Sequence, residues 1–182
     1  MTEHQLSLLG DADQDVLKTA DISPDGAYRY TLNRIWGSGR GILPWIMLNP
    51  STADHEVDDP TIRRCIGFAR RLGYAGITVV NLYALRSTDP KALLGAADPV
   101  GPRNDTVLRR VFLQAAAAGL PVVAAWGVNA RPDRVQQVLA MPHAADQMVS
   151  FGVTTDGHPR HPLYLPKTAE LAPWPTSRVG GA

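Results

Sequence analysis

The stretch ILPWIMLNPSTAD, residues 42–54, changes character abruptly at its midpoint. Its first seven residues are almost wholly apolar, which is typical of a strand buried on both faces of a parallel sheet. Asn49, Pro50 and Ser51 follow at once, and these residue types favour turns. We therefore interpret the stretch as a buried strand that ends in a polar elbow.

Two other apolar runs end in the same way. The run GITVVNLYAL, residues 76–85, reaches a polar side chain at Asn81, and LPVVAAWG, residues 120–127, ends in a glycine-bearing elbow that continues to Asn129. The carboxyl ends of parallel strands share one edge of a sheet, and ligands bind outside that edge. The three elbows are therefore predicted to form the walls of one site.

Segments with helical spacing alternate with the apolar runs, and this alternation predicts an α/β fold. Asp59 is expected to cap the first helix, with Pro60 in its first turn, and Asn104 or Asp105 is expected to cap the second. Crossover helices favour a three-layer α/β/α sandwich with a mainly parallel central sheet. Strands are predicted at residues 27–36, 42–48, 76–81, 120–127 and 147–153, and helices at residues 60–72, 104–118 and 129–140.

Length and composition indicate one domain. The 182 residues divide into a polar arm at 1–26, an α/β domain at 27–174 and a tail at 175–182. Cys65 is the single cysteine, which excludes disulfide frameworks and four-cysteine metal or iron–sulfur sites. We find neither a signal-peptide pattern nor an apolar run of about 20 residues, so we expect a cytoplasmic protein without membrane contact.

The net charge of +1 conceals an asymmetry along the chain. Residues 1–60 hold ten acidic and four basic side chains, whereas residues 61–182 hold seven acidic and fourteen basic ones. Most of the basic residues are arginines, whose planar fork suits phosphate, although a genome rich in G and C also favours arginine. Four arginines fall on the first predicted helix, where such residues usually form a solvated face: Arg63, Arg64, Arg70 and Arg71.

The stretch DGHPRHPLYLPKT, residues 156–168, combines two histidines with three prolines. Proline restricts its own backbone and that of its predecessor, so this loop could hold an imidazole rigidly against a substrate. Tyr83 and Tyr164 could present rings to a flat ligand, since each follows an elbow. Three basic side chains could contact phosphate: Arg86, Arg160 and Lys167.

Several motifs in order resemble a bacterial and phage domain family of unassigned function. They are LNPSTAD, DDPTIRRC, NLYALRSTDP, DPVGPRND and GHPRHPLYLPK, and the resemblance runs from about residue 27 to residue 174.

A more distant similarity links the chain to the uracil-DNA glycosylase superfamily. Asn49 matches the asparagine that positions the hydrolytic water in the mismatch-specific branch, and His161 with Pro162 matches the late histidine–proline motif that supports the flipped base. His158 with Pro159 is a second match to that motif. Met47 stands where the superfamily has a glycine, and Leu163 and Tyr164 replace the small residues usual after the histidine–proline pair.

This resemblance implies a base-excising hydrolase acting on DNA or a nucleoside, with Asn49 orienting water and His161 stabilising the leaving base. It requires no cofactor and no metal, and its partner is a nucleic acid or nucleotide. A non-catalytic nucleotide-binding domain and a metal-dependent hydrolase at Asp54, His55, Asp58 and Asp59 are the alternatives. The predicted substrate-binding residues are Pro50, Ser51, Asn81, Tyr83, Arg86, His158, Arg160, Tyr164 and Lys167.

Overall fold

The computed structural model describes residues 16–51, 57–89, 93 and 95–174. Within these residues, no helix is long and apolar enough to cross a membrane. The strands are β1 (Leu17–Ile22), β2 (Arg29–Ile35), β3 (Ile42–Met47), β4 (Gly76–Asn81), β5 (Val122–Ala124), β6 (Met148–Ser150) and β7 (Ala172–Pro173). The helices are α1 (Pro60–Arg71), α2 (Asn104–Ala118), α3 (Pro132–Leu139) and α4 (Ala144–Gln147), with short 3₁₀ turns at Gly127–Asn129 and Pro162–Tyr164.

The strands form one mixed sheet in the order β1-β2-β4-β3-β5-β6-β7. Neighbours are parallel from β4 to β6, and antiparallel in the pairs β1–β2, β2–β4 and β6–β7. The expected mainly parallel sheet is therefore wrong: α/β crossovers connect only the middle strands, whereas the chain enters and leaves the sheet by antiparallel connections. The α/β class itself is confirmed.

Strand β4 lies between β2 and β3 in the sheet. The glycine-rich turn that connects β2 to β3 wraps around the start of β4. Trp36 N donates to Ala75 O at 2.9 Å, and Arg40 N donates to Gly73 O at 2.9 Å. A Cβ atom at Gly39 would lie 2.7 Å from Gly73 O and 2.8 Å from Ala75 N. Since both atoms belong to the backbone, only glycine fits at this position.

Strand β3 supplies residues to two hydrophobic clusters. Trp45 and Met47 belong to a cluster with Cys65 and Phe68 of α1, whereas Ile46 packs with residues of α2 and α3. Such alternation is typical of a strand covered on both faces. Within the first cluster, the rings of Trp45 and Phe151 stack at 5.4 Å between centroids.

Helix α1 begins where the sequence predicts. The Asp59 side chain caps it by accepting a hydrogen bond from Ile62 N at 2.8 Å, and Pro60 is its first residue. The cap of α2 differs from the prediction. Arg103 occupies the cap position without a side-chain bond, and the buried Asn104 amide donates to the carbonyls of Asn81 and Leu82 at 3.0 and 3.1 Å.

Part of the segment interpreted as a polar arm forms the edge strand β1. It pairs with β2 through the turn at residues 23–26, where Gly26 N donates to Ser23 O at 2.8 Å. The first half of the strand is exposed and the second half is partly buried. The segment therefore lacks the alternation of apolar and polar residues by which strands are recognised in a sequence, which explains why β1 was interpreted as part of an arm.

Two glycine-to-alanine substitutions should change stability in opposite directions. Gly39→Ala should lower the free energy of unfolding by about 1–3 kcal/mol, because its Cβ meets backbone on the β4 side. Gly67→Ala, within α1, should raise it by roughly 0.5–1 kcal/mol, because its Cβ meets nothing within 4 Å. Urea unfolding curves measure both effects. Equal midpoints for Gly39→Ala and the wild type would contradict the packing of this turn against β4.

Candidate functional site

A cavity of about 460 Å³ opens at the carboxyl ends of β3 and β5. The chain leaves β3 towards β4 on one side and leaves β5 towards β6 on the other, so the two connections diverge. Ligands of open α/β sheets bind where connections diverge in this way. The cavity is lined by Met47, Leu48, Asn49, Trp126, Gly127, Val128, Asn129, Thr154, Arg160, His161 and Tyr164.

The Asn49 side chain is anchored by its amide nitrogen. Nδ2 donates to Ser87 O at 2.8 Å and to Pro50 O at 3.1 Å. Ser87 N in turn donates to Pro50 O at 3.1 Å, which ties the elbow after β3 to the segment after β4. Because both amide hydrogens are committed, the carboxamide presents its oxygen as the remaining hydrogen-bonding group.

The second wall is a hairpin formed by residues 152–161. Val153 bridges Pro159, and Thr154 N donates to His158 O at 2.8 Å. The hairpin is tied to β5 by Gly127, whose N–H donates to Pro159 O at 3.0 Å. Gly127 has φ +75°, and a Cβ there would lie 3.7 Å from the Cβ of His161. The positive φ favours glycine at the point where the elbow after β5 meets the hairpin.

His161 stands at the end of this hairpin and caps the 3₁₀ turn Pro162–Tyr164. Its Nδ1 accepts a hydrogen bond from Leu163 N at 3.4 Å. In the neutral ring the proton then belongs on Nε2. Burial lowers the pKa of His161 below its usual value of 6.5, and the negative charge of Asp59 partly opposes the effect. The neutral imidazole, with Nε2 as a donor, is therefore favoured at neutral pH.

Arg160 and Tyr164 complete this wall. Arg160 Nη2 donates to Tyr164 O at 3.3 Å, and the rings of Tyr164 and His161 lie 5.8 Å apart. Tyr164 is 74% exposed, and Val128 of the elbow after β5 is 57% exposed. The exposed part of the lining thus combines Tyr164 and Val128 with the polar Asn129 and Arg160, while the partly buried Asn49 and His161 lie beside the buried Met47 and Trp126. Aromatic and apolar walls with a few polar groups suit a small aromatic ligand.

The other predicted site residues lie outside the cavity lining. Asn81 and Tyr83 are buried at the end of β4, which neighbours β3 on the side away from β5. Tyr83 is 2% exposed and its hydroxyl accepts from Arg131 N at 3.3 Å, so its ring is not available for stacking. Burial raises the pKa of the Tyr83 hydroxyl. The third predicted elbow therefore does not join the other two.

Most of the other predicted substrate-binding residues connect neighbouring segments of the chain. Ser51 Oγ donates to Asp59 Oδ2 at 2.9 Å, which links the β3 elbow to the start of α1. Arg86 Nη1 donates to Gly26 O at 3.2 Å, and His158 N donates to Thr154 Oγ1 at 3.1 Å within the hairpin. Lys167 lines a separate groove beside α1.

The metal alternative involves Asp54 and His55, which lie outside the described residues. Its other two members already have partners. The Asp58 carboxylate forms an ion pair with Arg34 at 2.7 Å, and Asp59 caps α1. Across the part of the chain that the structure describes, no three histidine, cysteine or acidic side chains are grouped as metal ligands.

Seven lining residues were not among the predicted site residues: Met47, Leu48, Trp126, Gly127, Val128, Asn129 and Thr154. The elbow after β5 pointed to the four residues from Trp126 to Asn129, because a glycine at a strand end marks a tight approach of the backbone. Trp126 packs edge-on against Trp174, with centroids 5.1 Å apart, which fixes the floor of the cavity. Thr154 carries no local signal, since it reaches the cavity only through the hairpin.

Asp59→Asn should lower the pKa of His161 further, because it removes the charge that favours the imidazolium. Asparagine remains a good N-cap, so α1 should persist. NMR titration of the imidazole resonances measures the midpoint, with Asp133→Asn as a remote control. Since the folded protein binds this proton more weakly than the unfolded chain, stability should fall as the pH drops below about 6.5. An unchanged or higher midpoint would contradict the proximity of Asp59.

No curated protein matches the chain significantly. A family model described as "Protein of unknown function (DUF1643)" matches residues 29–163, which is more than half of the chain and includes β2 through the cavity wall at His161. The sequence motifs predicted membership of an uncharacterised domain family, and this match confirms it: the chain belongs to the DUF1643 family.

Proposed function

We propose that the protein is a base-excising hydrolase acting on DNA or a nucleoside, with Asn49 orienting water and His161 stabilising the leaving base. The observation that carries the proposal is the presence of both side chains in the lining of one cavity, at the switch point of the sheet. Its volume of about 460 Å³ lies within the usual range for small-molecule sites.

In this reaction the bond between the sugar C1′ atom and the base nitrogen breaks. The electron pair leaves with the base, a water oxygen bonds to C1′, and the water proton passes to solvent or to the departing base. The sugar gains cationic character before the water bonds fully, as in other glycoside hydrolyses. Because the sugar is already electron-poor, the water needs orientation more than it needs a strong base.

Asn49 suits the orienting role. Its Nδ2 is held by Ser87 O and Pro50 O, so its oxygen has a fixed direction and accepts hydrogen bonds. A water bound there would present a lone pair to the sugar without any prior loss of a proton.

His161 suits the stabilisation of the leaving base. The neutral ring, with Nδ1 occupied by Leu163 N, would donate from Nε2 to a base carbonyl as negative charge develops there. A donor fixed before the reaction requires little reorganisation, and its partial burial strengthens the interaction. Removing one such donor typically costs about 10²–10³-fold in rate.

A three-layer sandwich of uracil-DNA-glycosylase-like type is part of the proposal. Two features support it: the hydrophobic clusters that share β3, and the order of an asparagine elbow, a tryptophan–glycine elbow and a histidine–proline loop. Met47 lines the cavity where the superfamily has a glycine. A side chain at this position reduces the room for a base, so the substrate range should be narrower than in the superfamily.

A nucleotide-binding domain without catalysis is the second candidate, and the lining of the cavity favours it. Among the described lining residues there is no carboxylate, and Met47 occupies part of the floor. Such a domain would bind a nucleotide through the same aromatic and amide groups, and it would leave every glycosidic bond intact.

The test uses single- and double-stranded oligonucleotides carrying uracil, hypoxanthine, xanthine or hydroxymethylated pyrimidines, with a chelator present. Free base and abasic sites are measured for the wild type, for Asn49→Ala and for Asn33→Ala as the control. Asn33 also carries an amide with two side-chain partners, Thr19 and Thr78, but it lies on β2. We expect Asn49→Ala to slow base release by about 10²-fold or more, and Asn33→Ala to release base at the wild-type rate.

Binding without release from any substrate would replace the hydrolase with the binding domain. Loss of activity on adding the chelator would favour a metal-dependent hydrolase instead, because the proposed chemistry uses no metal. Equal release by the wild type and Asn49→Ala would remove Asn49 from the mechanism.

A further inference from the structure

A second groove, of about 350 Å³, runs beside α1 and carries only cationic groups among its charged side chains. It is lined by Arg63, Arg64, Gly67, Phe68, Arg71 and Lys167. Arg63, Arg71 and Lys167 are exposed, and Arg64 is partly buried. We name it the basic groove. None of the cavity residues described above belongs to it.

The cations of the basic groove have no carboxylate partner among the residues that the structure describes. Among the described residues, carboxylates pair with four other arginines, as in Arg34 with Asp58 at 2.7 Å and Arg134 with Asp105 at 2.6 Å. Four positive charges around one concave surface, with no carboxylate partner among the described residues, raise the local concentration of anions. This concentration of charge distinguishes the groove from an ordinary solvated helix face.

All three guanidinium groups of the groove are held in place, and Arg63 Nη1 donates to Asp58 O. Arg64 Nε donates to Pro162 O at 3.4 Å and its Nη2 donates to Leu165 O, while Arg71 Nη2 donates to Ala169 O. Both groups also lie over the Phe68 ring, at 5.1 and 5.6 Å from its centroid. Arginine has five N–H donors, so each retains donors for a ligand after making these contacts. Fixed donors lose little entropy on binding.

The basic groove adjoins the cavity through a shared wall. The 3₁₀ turn Pro162–Tyr164 packs against α1, and Arg64 bonds to the carbonyls on either side of Tyr164. On the other side, His161 and Tyr164 line the cavity. A ligand that leaves the cavity past Tyr164 therefore reaches the cations of α1.

The length of the basic groove suits a short run of phosphates. Arg63 and Arg71 are eight residues apart on α1, which corresponds to a rise of about 12 Å. Phosphates of one duplex strand rise about 3.4 Å each along the axis, and the backbone path between them is longer, so the groove could contact roughly two or three of them.

We propose that the basic groove binds the phosphodiester backbone of a nucleic-acid strand whose exposed base occupies the cavity. This inference rests on the proposed function for the identity of the cavity ligand. The cations supply sequence-independent affinity, and the cavity supplies recognition of the base. An acidic polypeptide is the other polyanion that such a groove could attract, and the experiment separates the two.

The experiment measures binding of a fluorescent single-stranded oligonucleotide by anisotropy over a range of KCl concentrations. Arg63→Gln/Lys167→Gln is compared with the wild type and with Arg109→Gln/Arg110→Gln, which removes the same charge from exposed positions on α2. We expect the groove variant to bind about tenfold more weakly. The plot of log K against log salt has a negative slope, and its magnitude should fall by about 1.4, since each single-strand phosphate contact contributes about 0.7. The control variant should keep the wild-type slope.

An unchanged slope in the groove variant overturns the inference, as does the absence of wild-type binding at about 50 mM salt. Displacement of the oligonucleotide by a polyglutamate peptide of equal charge, at equal concentration, overturns it in favour of an acidic polypeptide. Performing the titrations in the Asn49→Ala background separates the two proposals. A less steep slope in the groove variant, without base release by the wild type from any substrate, would retain the groove and reject the hydrolase. Base release by the wild type with an unchanged slope in the groove variant would reject the groove alone.

Discussion

Strand β3 is paired with parallel neighbours along both of its edges, and this double pairing determines where a ligand can bind. Trp45 is in register with Val79 of β4 on one side and with Val123 of β5 on the other. The chain continues from β3 through α1 to β4, and from β5 through α3 to β6. These connections diverge, so nothing in the sheet fills the space beyond the carboxyl ends of β3 and β5. The polar elbow after the apolar run is therefore a wall of that space.

The two walls are made rigid by different means. On the β3 side, a side chain provides the rigidity: the amide of Asn49 donates to Ser87 O and so ties the segment after β3 to the segment after β4. On the β5 side, the backbone does it, because Gly127 N–H donates to Pro159 O and the prolines limit the hairpin. Substrate-binding groups gain from such support, since an ordered site does not have to be ordered again when its ligand arrives.

Sequence reasoning predicted the elbows after β3 and β5 because their signals are local: apolar runs ending in asparagine, proline or glycine. It also predicted three residues of the hairpin wall from its prolines and histidines, namely Arg160, His161 and Tyr164. It could not predict that β4 lies on the far side of β3, because strand order depends on which surfaces pack together. Asn81 and Tyr83 were therefore expected at the site but lie in the protein interior. Asn104 bonds to the carbonyls of Asn81 and Leu82 at the end of β4 instead of capping α2.

The backbone around Asn49 also limits the chemistry available at that position. Its Nδ2 faces the carbonyl oxygens of Pro50 and Ser87, and a carboxylate there would bring a third negative oxygen against these two. Because an amide donates where a carboxylate would be repelled, the local fold favours asparagine over aspartate. A hydrolase with this elbow would orient water without a strong base, and would depend on leaving-group stabilisation from the other wall. The lowered pKa of His161 would favour that stabilisation, since a neutral imidazole is a hydrogen-bond donor that needs no counter-ion in a partly buried cavity.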